Sequence, residues 1–240
     1  MCFILILTRV RDDYPLIVAA NRDESRARPS EPPHRWDTSP GIWAGRDVAA
    51  GGTWLGVNDR GVLAAITNRR DGAIDRTLPS RGGLCLDVLL SRSTADAEGT
   101  IRERLAASRY NPFNLLCADV HGSWSMTWRG DRQVFEPGPH VITNEGDPDG
   151  PGLPTASRGL ELLARVDYRG DPLDEVLRQL GRICADTDGP TPICRPGGER
   201  GTVSSSLIAL STDGRIAAYW HANGPPSDES YAPVELGAQG

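Results

Sequence analysis

Short apolar runs and polar turns alternate at the start of the chain. Residues 3–10 and 16–20 are strand-like, and the segment between them contains Asp12, Asp13 and Pro15, which is typical of a turn. This pattern predicts a β-hairpin. Because the strands of a hairpin are antiparallel, residue 2 and the polar run that follows residue 20 should lie at the same end of it.

A second hairpin is predicted downstream. Residues 53–57 and 62–67 are apolar runs on either side of a polar turn, and this hairpin ends at Asn68. Residues 25–50, between the two hairpins, are rich in proline and arginine and show no periodicity. We therefore predict an ordered surface loop over 25–50, anchored by Trp36 and Trp43.

Two pairs of helices are predicted from apolar residues spaced at helical intervals. The first pair covers residues 82–92 and 95–107, and the second covers 156–166 and 172–185. Strands are predicted between the pairs, over 113–120, 124–128 and 140–143, and in a last hairpin over 203–210 and 215–221. The tail after residue 223 is expected to fray.

This order of elements predicts an α+β fold. Strands, two helices, strands, two helices and strands suit two stacked antiparallel sheets with helices on both outer faces. We therefore predict a four-layer αββα sandwich, with residues 1–240 forming a single domain.

Charge and composition narrow the classes of function. With 32 acidic and 26 basic residues the formal charge is −6, so no global positive field is available to bind nucleic acid. Every basic residue is arginine, which excludes a catalytic lysine. The first apolar run stops at Leu7 and charges follow it, so we expect no export signal, no membrane span and a cytoplasmic location.

The cysteines and histidines indicate neither a disulfide framework nor a metal site. The five cysteines are odd in number and form no CxxC pair, and no HExxH motif occurs. A reducing compartment suits such a chain. We expect no metal ion.

Cys2 has a chemical property that a cysteine elsewhere would lack. Removal of Met1 would leave the thiol and a free α-amine on one residue. An α-amine has a pKa of about 7.7–8.0, so it can take the thiol proton while sulfur attacks a carbonyl. The alternative interpretation is that Cys2 is a small apolar residue that begins a buried strand.

A charged cluster, Asn21 to Glu24, follows the first hairpin. Asp23 can accept hydrogen bonds from an α-ammonium, and Arg22 can favour the thiolate form of Cys2. Asn21 can hold a substrate amide or the neighbouring loop. The alternative is a solvated turn at the end of a strand.

The chain resembles a known family through four motifs, MCFIL, AANRDES, GGTWLGVNDRGVLAAITN and HVITNE. They resemble, in order and over most of the chain, the NRDE protein family, also called the transport-and-Golgi-organisation-two family. That family is similar to the N-terminal-nucleophile hydrolases of the choloylglycine hydrolase and penicillin V acylase group. The resemblance implies the αββα fold and hydrolysis of a non-peptide amide bond through an acyl-thioester.

The resemblance also implies roles for individual residues. Cys2 would be the nucleophile and Asp23 would orient its amine, while Asn144 and Asn68 match positions that help to stabilise the oxyanion. We predict that the substrate is a small molecule that also contacts Asn21, Arg22, Arg69 and Trp54.

The family resemblance supports a second, noncatalytic hypothesis. Roles in haem trafficking and in lipid or acyl-CoA metabolism imply a carrier in which Cys2 would be a haem ligand, so haem is the one cofactor or partner we consider. Specificity for either kind of ligand is expected in loops 25–50 and 186–201. A group of arginines is either an anion-binding rim or a solvated loop face: Arg69, Arg70, Arg76 and Arg81.

Overall fold

The computed structural model describes residues 2–237. Within this range the strands are β1 (Phe3–Thr8), β2 (Leu16–Ser25), β3 (Ser30–Trp36), β4 (Ile42–Asp47), β5 (Leu55–Asn58), β6 (Leu63–Asn68), β7 (Phe113–Ala118), β8 (Ser123–Thr127), β9 (Arg132–Phe135), β10 (Gly138–Thr143), β11 (Arg200–Leu210), β12 (Ile216–Ala222) and β13 (Ala232–Pro233). The helices are α1 (Arg81–Leu89), α2 (Thr94–Ala107), α3 (Pro154–Leu163) and α4 (Leu173–Cys184). None of these helices is long and apolar enough to cross a lipid bilayer.

The first hairpin lies inside a six-stranded antiparallel sheet. Its strand order over the described residues is β10-β1-β2-β11-β12-β13. Phe3 of β1 pairs with Asn21 on one side and with Thr143 on the other. Residue 2 therefore comes directly before the first paired residue of β1, in register with Arg22 on β2 and next to the chain that leaves β10.

The second sheet shows that the loop predicted over 25–50 is wrong. Its seven strands, among the residues described, follow chain order from β3 to β9, and β3 and β4 both fall within 25–50. β3 is an edge strand with a register shift between Glu31 and His34, where Pro32 and Pro33 need not donate to a neighbour. Trp36 and Trp43 are buried, as predicted.

Alternating side chains of β1 divide the core into layers. Phe3 and Leu5 pack against the side chains of α3 and α4, whereas Ile4 and Ile6 pack in a cluster between the two sheets. A third cluster lies between the second sheet and helices α1 and α2. β1 is buried along its whole length. The predicted αββα sandwich is confirmed.

The expectation of a frayed tail is wrong for residues 224–237. β13 pairs with β12 through Pro233 and Trp220. The hydroxyl groups of Tyr231 and Ser205 are hydrogen-bonded at 2.6 Å, and Val234 packs against the cluster between the sheets. These apolar side chains hold the tail on the sheet. Residues 238–240 lie outside the described residues.

Gly159 of α3 lies against the Phe3 ring, and a Cβ at this position would meet Phe3 Cε2 at 2.6 Å. We predict that Gly159→Ala lowers the free energy of unfolding by about 1–3 kcal/mol, because overpacking outweighs alanine's better helix propensity. Chemical denaturation measures the change. The matched control is Gly99→Ala, at an exposed position of α2 where the new Cβ meets no neighbour. We expect this variant to raise the free energy of unfolding by about 0.5–1 kcal/mol. Equal gains for both variants would contradict the packing described.

Candidate active site

A cleft of about 970 Å³ opens where β1 begins and where β2, β6 and β10 end. Seven of the eight site residues predicted from the sequence line it: Cys2, Arg22, Asp23, Trp54, Asn68, Arg69 and Asn144. The eighth, Asn21, does not. Residues far apart in the chain meet here because antiparallel pairing brings the strand ends together.

Cys2 directly precedes β1 and is partly exposed to the cleft. Continuing the register of β1 by one residue places Cys2 between Arg22 on one side and Asn144 on the other. Its Sγ donates to the backbone oxygen of Asp23 at 3.8 Å, a long and weak sulfur hydrogen bond. The thiol is therefore held near Asp23 without being sealed inside the core.

The surroundings of Cys2 disfavour its thiolate. Burial of the thiol raises its pKa above the ordinary value, and the negative charge of Asp23 raises the pKa further. Near neutral pH the sulfur therefore retains its proton. Nucleophilic attack from this site needs a base that removes the proton during the reaction.

Asp23 is fixed by Thr202 on the neighbouring strand β11. Thr202 Oγ1 donates to Asp23 Oδ1 at 2.9 Å and accepts from the backbone N–H of Arg195, also at 2.9 Å. The adjacent Gly201 is tightly packed, since a Cβ there would meet the Arg195 oxygen at 2.3 Å. The sequence reasoning missed Thr202. Its role depends on the pairing of β2 with β11, which no local motif indicates.

Asn144 lines the cleft at the turn that follows β10. Its buried Oδ1 has no hydrogen-bond partner among the described residues. The surrounding turn is held by Asn114 Nδ2, which donates to the backbone oxygens of Thr143 at 3.0 Å and Gly146 at 2.8 Å. Asn114 also escaped the sequence reasoning. It is the second residue of an apolar strand and has no motif around it.

Asn68 is joined to the same turn through its neighbour Thr67. Thr67 Oγ1 donates to the Thr143 oxygen at 3.4 Å, which links the end of β6 to the end of β10. Asn68 itself is half-buried and lines the cleft. The two sheets thus bring two asparagine side chains to one opening, where amide N–H groups can stabilise negative charge on an oxygen.

Arg22 and Trp54 form a stacked pair in the cleft wall. The Arg22 guanidinium lies 3.9 Å from the centre of the Trp54 ring, and its Nη1 donates to Ser30 Oγ at 3.0 Å. Burial lowers the pKa of Arg22 below its ordinary value. The pair presents a cation and an aromatic surface to the same opening.

Arg69 lines the cleft but is held by carboxylates. It pairs with Asp71 at 2.7 Å and with Asp147, and its guanidinium lies over the Trp128 ring. These contacts connect the segment after β6 with the turn after β10. The geometry favours a structural role for Arg69 in addition to the predicted substrate contact.

The substrate-binding role predicted for Asn21 is corrected by its position. Successive side chains of β2 point to opposite faces, so Asn21 faces α4 while Arg22 faces the cleft. Asn21 Nδ2 donates to the backbone oxygens of Cys184 at 2.8 Å and Ile193 at 3.2 Å. It holds the end of α4 and the following loop, which is the alternative considered from the sequence.

The other cysteines differ from Cys2 because they are buried away from the cleft: Cys85, Cys117, Cys184 and Cys194. Burial raises the pKa of the Cys184 thiol to about 12. Over residues 2–237, no group of three or more His, Cys, Asp and Glu side chains is arranged to hold a metal ion.

Comparison with known families and proteins identifies relatives of the chain. The family model described as "Transport and Golgi organisation 2" matches residues 1–217. The Bos taurus Transport and Golgi organization protein 2 homolog is 28% identical over 86% of this chain and 86% of its own length. The Homo sapiens homolog is 35% identical over 55% of this chain and 49% of its own.

Two solved structures share the fold. The Caenorhabditis elegans ortholog of N-acylethanolamine-hydrolyzing acid amidase aligns with a TM-score of 0.58 over 89% of this chain and 94% of its own. The mutant C2A conjugated bile acid hydrolase from Clostridium perfringens aligns with a TM-score of 0.56 over 99% and 97%. Each is 12% identical to this chain, so the likeness shows the fold alone.

The raised pKa of Cys2 makes a testable difference to its reactivity. We predict that iodoacetamide alkylates Cys2 slowly near neutral pH, and that the rate rises with pH to a midpoint above the value of about 8.5 for free cysteine. In Asp23→Asn a charge that raises the pKa is lost, so the midpoint should fall. Mass spectrometry of the Cys2 peptide measures the rate, and the buried Cys85 is the internal control. A midpoint at or below that of free cysteine would contradict the description.

Proposed function

We propose that this chain, which belongs to the Transport and Golgi organisation 2 family, is an amide hydrolase whose nucleophile is Cys2. The observation that carries the proposal is a cysteine at the end of β1 that faces a cleft also lined by Asp23, Asn68 and Asn144. Two proteins of similar fold support the reaction class, since one is named an acid amidase and the other a conjugated bile acid hydrolase.

The first step activates the thiol. Removal of Met1 would make the α-amine of Cys2 the base that takes the thiol proton. Burial and Asp23 keep the thiol protonated, so the reaction requires a base, and the α-amine is a base on the same residue. Asp23, held by Thr202 and with its backbone oxygen 3.8 Å from Cys2 Sγ, would accept hydrogen bonds from the resulting ammonium and stabilise it.

In the second step the Cys2 sulfur attacks the carbonyl carbon of the substrate amide. A carbon–sulfur bond forms while the carbonyl π electrons move onto the oxygen. Asn144 and Asn68, which line the cleft, would donate to that oxygen through their side-chain Nδ2 groups. These donors are held by the sheets before the reaction, so they need little rearrangement to stabilise the developing charge.

Collapse of this intermediate breaks the carbon–nitrogen bond. The Cys2 ammonium returns its proton to the leaving nitrogen, which departs as an amine and leaves an acyl-thioester. The α-amine of Cys2 then takes a proton from water as the water oxygen attacks the thioester. The carboxylic acid leaves and the proton returns to sulfur, so the enzyme is regenerated.

The carrier hypothesis has less support from the geometry. A cysteine binds haem iron as the thiolate, and the site disfavours the thiolate of Cys2. No histidine lies among the described residues that line the cleft. Apolar side chains such as Trp54, Ile66 and Leu78 suit an acyl chain, whether it belongs to an amide or to a carried lipid. We propose the cytoplasm as the location, which the four buried free thiols support.

A covalent intermediate is the direct test of the hydrolase proposal. We predict that purified protein has lost Met1 and that acid quenching during incubation with fatty acyl amides traps an added acyl group on Cys2. Intact mass measures both. Cys2→Ala should give no adduct. A Soret shift with haem that is lost in Cys2→Ala, without any acyl adduct, would favour the carrier.

The base is tested by a cleavable leader placed before Cys2. With the leader attached the α-amine is blocked, so turnover should be lost, and protease cleavage that exposes Cys2 should restore it. Alkylation of the thiol provides the control for an accessible, folded site. Equal turnover with and without the leader would exclude the α-amine as the base.

The oxyanion role of Asn144 predicts a specific kinetic change. In Asn144→Leu we expect kcat to fall by about 10²–10³-fold with little change in KM, because the lost hydrogen bond forms mainly in the transition state. Steady-state kinetics measures both constants. Alkylation of Cys2 at an unchanged rate is the control for folding. A change confined to KM would place Asn144 in ground-state binding instead.

A further inference from the structure

The cleft has the opposite charge to the molecule as a whole. The chain has a formal charge of −6, yet among the described residues the lining contains eight arginines and four aspartate or glutamate side chains. A concave surface lined by one sign of charge attracts ligands of the opposite sign. The arginines nearest to Cys2 decide whether this charge is available to a ligand.

Several of these arginines are already neutralised by carboxylates of the chain. The ion pairs are Arg28 with Asp47 at 2.8 Å, Arg69 with Asp71 at 2.7 Å, and Arg200 with Glu24 at 2.9 Å. The positive charge of each of these arginines is therefore balanced by a carboxylate of the protein. Arg70 and Arg76 lie on the exposed face of the cleft, where solvent and salt screen them.

Arg22 and Arg81 differ from these arginines because their hydrogen-bond partners are neutral. Arg22 donates to Ser30 Oγ at 3.0 Å, and Arg81 Nη1 donates to the Pro112 oxygen at 2.9 Å. Neither forms an ion pair with a carboxylate of the described residues within 4.0 Å, and Arg22 is only 7% exposed. A buried guanidinium without a carboxylate partner is costly, and an anionic ligand would supply the missing partner.

Both guanidiniums lie within electrostatic reach of Cys2. Burial lowers the pKa of both arginines, and nearby negative charge only partly offsets this, from Asp47, Glu24 and Cys2 at Arg22 and from Cys2 and Glu24 at Arg81. Arg22, Arg81 and Cys2 line the same cleft, so an anion bound by the two arginines would share that cleft with the sulfur that reacts. The planar guanidinium fork matches the oxygens of a carboxylate or a phosphate.

We propose that the amide substrate carries an oxyanion group, a carboxylate or a phosphate, which Arg22 and Arg81 bind next to Cys2. This inference rests on the proposed hydrolase function. It selects acylated amino acids and acylated amino-phosphates over neutral fatty amides. Arg81 was only one member of a possible arginine rim in the sequence, and Arg22 joins it through the fold.

Binding to Cys2→Ala tests the proposal without hydrolysis. Isothermal titration compares N-decanoylglycine with neutral N-decanoylglycinamide, and N-decanoyl-phosphoethanolamine with neutral N-decanoylethanolamine. We expect at least one charged compound to bind about tenfold more tightly than its neutral partner, as charge-assisted hydrogen bonds allow. The compound that shows the preference distinguishes carboxylate from phosphate. Equal affinities within both pairs, or no binding of either charged compound, would overturn the proposal.

Variants of the arginines provide the controls. Arg81→Met, combined with Cys2→Ala, should remove the preference for the charged compound while the neutral compound binds as before, which also shows that the site is folded. Arg22→Lys keeps the charge but loses the fork and should weaken the preference in part. Arg76→Met removes an exposed charge from the same cleft and should change affinity less than about twofold. Loss of preference in Arg76→Met to the same extent as in Arg81→Met would overturn the assignment.

Turnover of the same compounds by the unmodified chain separates this inference from the proposed function. Tighter binding of a charged compound without any hydrolysis would remove the hydrolase proposal and leave the oxyanion site. Hydrolysis at equal kcat/KM for charged and neutral compounds would support the hydrolase proposal and remove the oxyanion site.

Discussion

The pairing of β1 with strands on both sides is the constraint on which the site depends. Hydrogen bonding to β2 and β10 fixes residue 2 between Arg22 and Asn144. Because side chains alternate along a strand, a shift of one residue would turn Cys2 toward the helices and Phe3 toward the cleft. The apolar contacts of Phe3 and Ile4 on opposite faces resist such a shift. The chemistry at position 2 is therefore secured by the core.

A set of polar contacts completes what the strand pairing begins. Thr202 holds Asp23, and Asn114 holds the turn that carries Asn144, so these two groups are each positioned by a residue from another strand. Hydrogen bonds of this kind lock side chains in place before substrate arrives. The same logic explains why Arg22, stacked on Trp54, keeps its orientation without a carboxylate partner. Thr202 and Asn114 thus position the reactive groups, whereas Arg22 supplies positive charge to the cleft.

Sequence reasoning reached those features that local patterns determine. The hairpins, the helices and the layered fold follow from apolar periodicity, and Cys2 and Asp23 follow from a motif beside a strand end. It failed for β3, where prolines that indicate a loop are tolerated at a sheet edge. Thr202 could not be found, because its role depends on a contact between distant segments. Arg81 was found only as one of four arginines in a possible anion-binding rim, since the sequence does not show which of them lack a carboxylate partner. Asn21 was misassigned because a motif does not reveal which face of the strand each member occupies.

The return of the tail to β12 has a consequence for the molecule in solution. β13 covers the backbone of Trp220 and His221, which would otherwise form the open border of the first sheet. Uncovered backbone donors and acceptors on such a border invite a strand from a second molecule. β13 closes this part of the border with the chain's own backbone, and with two residues it offers little backbone of its own to a second molecule.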